Sequence, residues 1–124
     1  MNLVDSCGWL EFYSGGPNAA RFAPAILETG RLLVPSICIY EVFKRIVVQF
    51  GEKEALAIVS DMAQGTVCDL DKEIAMDAAN LSLEHHLPMA DNIILTTARL
   101  FNAIIWTQDE HFKKFHDVKY FEKK

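Results

Sequence analysis

Four carboxylates stand where an ordinary surface acid would not. Asp5 ends the short apolar run Leu3-Val4, and Asp109 comes three residues after Trp106. Glu41 is the lone charge in Ile37-Cys38-Ile39-Tyr40-Glu41-Val42-Phe43, beside the cations Lys44 and Arg45 on the same helical face. Asp91 lies three residues past Pro88 and shares its i, i+3, i+4, i+7 face with Ile94, Leu95 and Ala98. An acid on an apolar face must be hydrogen-bonded, paired or bound to a cation. Each one singly suits a helix cap or the first turn of a helix, where the dipole favours it by ~0.3–1 kcal/mol. Gathered together, four carboxylates repel one another and lose hydration unless a proton or a cation offsets the cost. Oxygen ligands without a Cys or His set favour magnesium or manganese over zinc.

The elements that must gather them can be read from hydrophobic runs and breakers. Short apolar strands are expected at Leu3-Val4, Arg31 to Val34, Thr66 to Leu70 and Ala103 to Trp106, with an edge strand at Val118 to Phe121. Helical patterns fill the intervals: Ser6 to about Tyr13, capped by Ser6 or Asp5; Asn18 to Thr29, bent or split by Pro24; and Ser36, as a cap, to Phe50. Further helices run from Glu52 to Gln64, from the Asp71 cap to about His86, and from Pro88 to about Phe101. This alternation predicts an α/β fold, a three-layer α/β/α sandwich around a parallel sheet of four to five strands, in one domain spanning 1–124. Unbroken apolar stretches such as Leu32-Leu33-Val34 agree, because strands buried on both faces lose polar alternation. Ligands of such sheets sit beyond the carboxyl ends of the strands. Asp5, Glu41 and Asp109 belong to that edge, and Asp91 joins them if its helix starts there.

Taken in order, Val4-Asp5-Ser6, Glu41 in its apolar helix, Ala90-Asp91-Asn92-Ile93-Ile94 and Thr107-Gln108-Asp109-Glu110-His111-Phe112 resemble the PIN-domain signature. The short chain resembles in particular the VapC-type toxin ribonucleases. The resemblance runs from Asp5 to Phe112 and implies a PIN-like sandwich, cleavage of RNA dependent on Mg2+ or Mn2+, a homodimer, and neutralisation by a cognate VapB-type antitoxin. It assigns Asp5, Glu41, Asp91 and Asp109 as the catalytic and metal-binding acids, with Ser6 and Thr107 as the small hydroxyl residues beside the first and last of them. Asn92 stands where small residues are commoner in that family.

The expected chemistry is hydrolysis of a phosphodiester by a metal-activated water, the RNA leaving through its 3′-oxygen. A bound ion screens the phosphate charge and lowers the pKa of its water. Asp5, Asp91 and Asp109 are the expected ligands, and Glu41 either binds a second ion or orients the water. The protein has 12 Lys plus Arg against 17 Asp plus Glu, net −5, which excludes a grip on nucleic acid by bulk positive charge. Lys44 and Arg45 are candidate RNA contacts, and Arg99, Lys113, Lys114 and Lys119 offer a local strip.

Other features carry less. Cys7, Cys38 and Cys68 form no CxxC, so a disulfide framework or zinc ribbon is not expected, and a reduced cytoplasmic setting is. The N-terminus lacks the pattern of a signal peptide, and no apolar run approaches the ~18 residues of a membrane span. His111 and His116 lack the i, i+4 pairing of a zinc site and are set aside, as are His85 and His86, which suit a helix C-terminus. Asp69-x-Asp71-x-Glu73 has Ile74 where a calcium loop turns on Gly. Trp9, Phe12, Tyr13, Ile39, Phe43, Val47 and Phe50 give two early helices more apolar surface than a core alone needs, a face for a second copy or an antitoxin. A dehalogenase-like phosphatase needs an acid two residues after the first Asp, where Cys7 stands; a phospho-receiver domain needs an acidic pair that Asn2-Leu3-Val4 does not supply. A PIN-type module without activity is the remaining alternative, and the intact set of four acids argues against it.

Overall fold

The computed structural model describes residues 1–124. Five strands form one fully parallel sheet: β1 (Asn2–Val4), β2 (Leu32–Pro35), β3 (Thr66–Cys68), β4 (Ile104–Thr107) and β5 (Val118–Tyr120), in the order β3-β2-β1-β4-β5. Six helices cover it: α1 (Ser6–Ser14), α2 (Ala19–Leu27), α3 (Ser36–Phe50), α4 (Glu52–Met62), α5 (Lys72–His85) and α6 (Met89–Leu100). The α/β/α sandwich and the fifth, edge strand are as the sequence predicts. Leu3, Val4, Leu32, Leu33 and Val34 are wholly buried, as double-sided strands require.

The strand order decides where a ligand belongs. From β1 the chain builds outward through β2 and β3, then returns to the other flank of β1 with β4 and β5. The order reverses between β1 and β4, and the crevice at such a switch point opens above their carboxyl ends. Asp5 leaves β1 there, its backbone N–H still on the Trp106 carbonyl at 3.0 Å. Thr107 closes β4 beside it.

Local chemistry explains the element ends. Asp5 caps α1 by accepting from the Ser6 N–H, and Asp71 caps α5 by accepting from the Ile74 N–H. Gly15 ends α1 in the left-handed region, φ 68°, where its N–H reaches the Glu11 and Phe12 carbonyls. At Gly8 an added Cβ would stand 2.7 Å from the Phe22 ring and the Val4 side chain, so glycine lets α1 lie close to α2 and β1.

Two expectations are corrected. Pro24 lies inside α2 without splitting it; the carbonyl that loses its partner belongs to Ala20, which is exposed and can turn to water. Ser36 is the first residue of α3 rather than its cap, and its hydroxyl accepts from the Leu70 N–H at 3.2 Å, tying α3 to the chain after β3. On α6, Asn92, Thr96 and Thr97 are 2–8% exposed, because α6 packs against α5, α3 and β4 together, and Arg99 reaches the surface. Asn92 donates to the Leu87 carbonyl at 2.9 Å, closing the turn between α5 and α6. No helix is long and apolar enough to cross a membrane. Of the apolar residues on α1 and α3, Trp9 is core, Phe12, Tyr13, Ile39, Phe43 and Val47 pack against it, and Phe50 is exposed.

Candidate active site

Asp5 is 4% exposed, and every oxygen of its carboxylate is occupied. Oδ1 accepts from the Ser6 N–H at 2.7 Å. Oδ2 accepts from the Thr107 hydroxyl at 2.9 Å and the Cys7 thiol at 3.2 Å. Burial pushes the Asp5 carboxyl up to about 6, against the opposing pull of the Cys7 and Thr107 hydrogen bonds, and the charge of Asp91 adds to the rise. Ser6 turns its hydroxyl to Glu41, donating to Oε1 at 2.6 Å and joining α1 to α3. The two hydroxyl residues expected beside the acids thus each hold one of them.

Thr107 also reaches forward. Its Oγ1 accepts from the Asp109 N–H at 2.9 Å, so one hydroxyl fixes Asp5 and the turn that carries Asp109. Asn18 supports the same turn. It is wholly buried, and its Nδ2 donates to Gln108 Oε1 at 2.9 Å and to the Glu122 carbonyl at 3.0 Å. Gln108 in turn donates its N–H to the Cys7 sulfur at 3.5 Å. The loop before α2, the end of β4 and the chain beyond β5 are therefore clasped around the first acid.

Opposite Asp5, Asp91 and Asp109 meet around a histidine. His111 Nδ1 lies 2.8 Å from Asp91 Oδ2 and 3.2 Å from Asp109 Oδ1. Ligand atoms of the three residues all fall within 4.8 Å of one another. An ionised carboxylate only accepts, so Nδ1 carries the proton and donates. Its hydrogen bond to Asp91, with the Asp109 charge, holds the imidazole above its ordinary pKa. Asp91 is raised, chiefly by burial and then by Asp109, with His111 opposing and Glu41 adding to the rise. Asp5 and Glu41 stand outside the tight trio, yet the charge of Asp91 links both to it. All four expected acids share one electrostatic field.

His111 is the residue that sequence reasoning set aside. Pair spacing along a helix could not find it, because it faces the site from a single 3-10 turn, Glu110–Phe112, fixed when Asp109 Oδ1 accepts the His111 N–H at 2.9 Å. The donor set is rich in oxygen, as a hard dication prefers. Lys44 and Arg45 are exposed on α3 and line a surface hollow of about 500 Å³ with Glu41, Tyr40, Val48 and Gln49. A larger cleft of about 700 Å³ begins at Cys7 and Gln108 and runs between α1, α3 and α4.

Residues 3–118 match the PIN domain. The chain belongs to the PIN-domain family. No curated protein matches it significantly. Solved structures carry the same PIN fold. A toxin–antitoxin complex from Klebsiella pneumoniae superposes with a TM-score of 0.80 at 20% identity, covering 96% of both chains. VapC20 of Mycobacterium tuberculosis, a toxin that cleaves the sarcin–ricin loop, superposes with a TM-score of 0.76 at 12% identity over 96% of this chain and 99% of that one. VapBC2 of Rickettsia felis, bound to a promoter DNA fragment, gives 0.74 at 11% identity over 96% and 97%.

Proposed function

We propose that this PIN-domain chain is a metal-dependent endoribonuclease and the toxin of a VapBC-type toxin–antitoxin pair. The observation that carries the reading is the meeting of Asp91 and Asp109 on one imidazole, with Asp5 buried and coupled to Asp91 by charge. Two carboxylates gathered on one histidine, Asp91 at its ring and Asp109 at its backbone N–H, have the charge and spacing to receive Mg2+ or Mn2+. Asp5, Asp91 and Asp109 would hold the ion, directly or through water, and Glu41 would hold a second ion or orient the attacking water. A bound dication supplies charge screening at the phosphate and a more acidic water. Thr107 keeps Asp5 and Asp109 in register, Ser6 aims Glu41, and Lys44 and Arg45 meet the RNA phosphates.

RNA as the substrate class draws support from a solved relative named for cleaving the sarcin–ricin loop. A VapB-type antitoxin as partner draws support from relatives solved in toxin–antitoxin complexes. The 700 Å³ cleft, with Leu10, Ile46 and Ile58 between charged residues of both signs, Glu11, Glu54, Asp61, Arg45 and Lys123, suits an amphipathic partner segment. The exposed Val48 and Phe50 support homodimerisation. We place the chain in the cytoplasm as a single PIN-like domain over 1–124.

The test is incubation of the purified protein with total RNA, with and without Mg2+ or Mn2+, beside Asp5→Asn and Asp91→Asn. Metal-dependent cleavage lost in both variants is the expected result. Equal cleavage by wild type and variants would assign the activity to a contaminant, and no cleavage by any would favour a PIN module that binds without cutting.

A further inference from the structure

Asn18 stands where a helix cap should. It precedes Ala19, the first residue of α2, and asparagine there ordinarily accepts from the N–H groups of the first turn. Its side chain makes no cap bond. It is wholly buried instead, and its Nδ2 donates twice, to Gln108 Oε1 at 2.9 Å and to the Glu122 carbonyl at 3.0 Å, across 90 and 104 positions of sequence. A carbonyl only accepts, so the Glu122 bond fixes which end of the amide faces which way. Asn18 Oδ1, buried with it, has no partner. An unpaired buried acceptor is unfavourable, as is a helix without its cap. The amide is therefore oriented by what it donates to.

What it donates to lies directly behind the acids. Gln108, 6% exposed, sits between Asp109 and Thr107, whose hydroxyl holds Asp5. Three bonds pin this turn residue by residue. The Phe121 N–H donates to the Thr107 carbonyl at 2.9 Å, Asn18 holds the Gln108 side chain, and the Thr107 hydroxyl accepts from the Asp109 N–H. From Gln108 the contacts run on to the first acid, since its N–H reaches Cys7 Sγ and that thiol donates to Asp5. The chain after β5 is already held by apolar packing, with the Phe121 ring edge-on to Phe22 at 5.2 Å. The Gln108 side chain has only Asn18 as a hydrogen-bond partner. Loss of the amide therefore falls first on the turn.

We propose that Asn18 is a positioning residue for the metal site, holding Gln108 so that the 107–109 turn presents Asp109 at a fixed place opposite Asp5. Groups that hold a metal's ligands from behind set their orientation, and losing one commonly weakens metal binding by about 10- to 100-fold. The inference rests on the metal-binding half of the reading above and adds a residue outside the acid set.

The experiment uses the full chain and two variants that remove the same bond from opposite ends, Asn18→Ala and Gln108→Met, the second keeping the length of the side chain. A third, Ile26→Ala, opens a cavity at the far end of α2, where Ile26 is 5% exposed, and loosens the same helix without touching the turn. Melting curves establish that each is folded at the working temperature. Hydrogen exchange in EDTA follows the Asp109 and His111 amides, which donate to Thr107 Oγ1 and Asp109 Oδ1. Calorimetry follows Mn2+. Asn18→Ala and Gln108→Met are expected to speed exchange at those two amides by about 5-fold or more and to weaken Mn2+ binding by about 10-fold. Their double variant should be little worse than either alone, because one bond is being removed twice. Ile26→Ala should leave both readouts as in wild type. Unchanged exchange in the two turn variants, equal changes in Ile26→Ala, or faster exchange with undiminished Mn2+ affinity each overturns the proposal. Should wild type bind no Mn2+ at millimolar concentration, the metal-site reading falls and the positioning role falls with it, whereas the exchange data still decide whether Asn18 holds the turn.

Discussion

The two sides of the crevice solve the same electrostatic problem differently. At the end of β1, Asp5 is buried, accepts three hydrogen bonds and has no cation beside it. At the end of β4 and the start of α6, Asp109 and Asp91 are bridged by His111, whose side chain is 55% exposed. The first side is rigid and carries its penalty as a raised proton affinity. The second sets between its acids an imidazole that solvent can reach, with proton affinity raised by both carboxylates. A site divided this way is fixed by hydrogen bonds on one side and open to solvent on the other.

The largest expected effect tests whether both sides serve one chemistry. Asp5→Asn and Asp91→Asn should each lower metal-dependent RNA cleavage by about 100-fold or more, the scale on which charge-stabilising groups act. A loss confined to one of them, measured on a defined RNA, would divide the site.

Next in size is the folding penalty on the rigid side. The Asp5 pKa rises from 3.8 to about 6 on folding, so the folded protein binds more protons than the unfolded chain between those values. Stability without metal should therefore fall as pH rises from about 4 to 6, by up to about 3 kcal/mol, and then level off for this group. The raised Asp91 and His111 act in the same direction, His111 losing its contribution as pH climbs through its elevated value. Urea unfolding in EDTA across this range measures it. Asp5→Asn should flatten the profile, and a profile rising toward neutral pH would contradict the burial argument.

Thr107→Val removes the hydroxyl shared by the two sides. It should cost about 1–3 kcal/mol, since buried Asp5 Oδ2 keeps only the weaker Cys7 thiol donor and the Asp109 N–H loses its acceptor. It should also weaken Mn2+ binding, read by calorimetry; undiminished binding would mean the halves are positioned independently.

The smallest effect concerns the open side. His111→Ala leaves Asp91 and Asp109 uncompensated, so Mn2+ should raise its melting temperature by a few degrees more than it raises that of wild type. A smaller rise would make His111 a ligand instead of a placeholder.

Much of this was legible from residue types. Apolar runs marked the strands because burial on both faces leaves only one kind of residue there. Asp5 and Asp71 announced helix starts, and the four acids were conspicuous for their apolar neighbours. What escaped notice depends on contacts between distant residues. His111 meets Asp91 across 20 positions of sequence. Asn18 reaches Gln108 across 90, and looks like any loop asparagine until the fold closes over it. Ser36 looked like a cap because Ser before an apolar helix usually is one; the fold gave its hydroxyl to Leu70. Pattern reading finds what each segment wants alone, and misses bonds that exist only after assembly.

The position of β1 bears on how the protein is made. Its partners are β2 on one flank and β4 on the other, and β4 begins only at Ile104. On the ribosome, a nascent chain released up to Leu100 has its central strand bare along one edge, its clasp open and Asp109 still to come. An unpaired edge invites wrong partners, so that interval is hazardous for folding. The stroke that seals the sheet also completes the acid set, so site and sheet mature together.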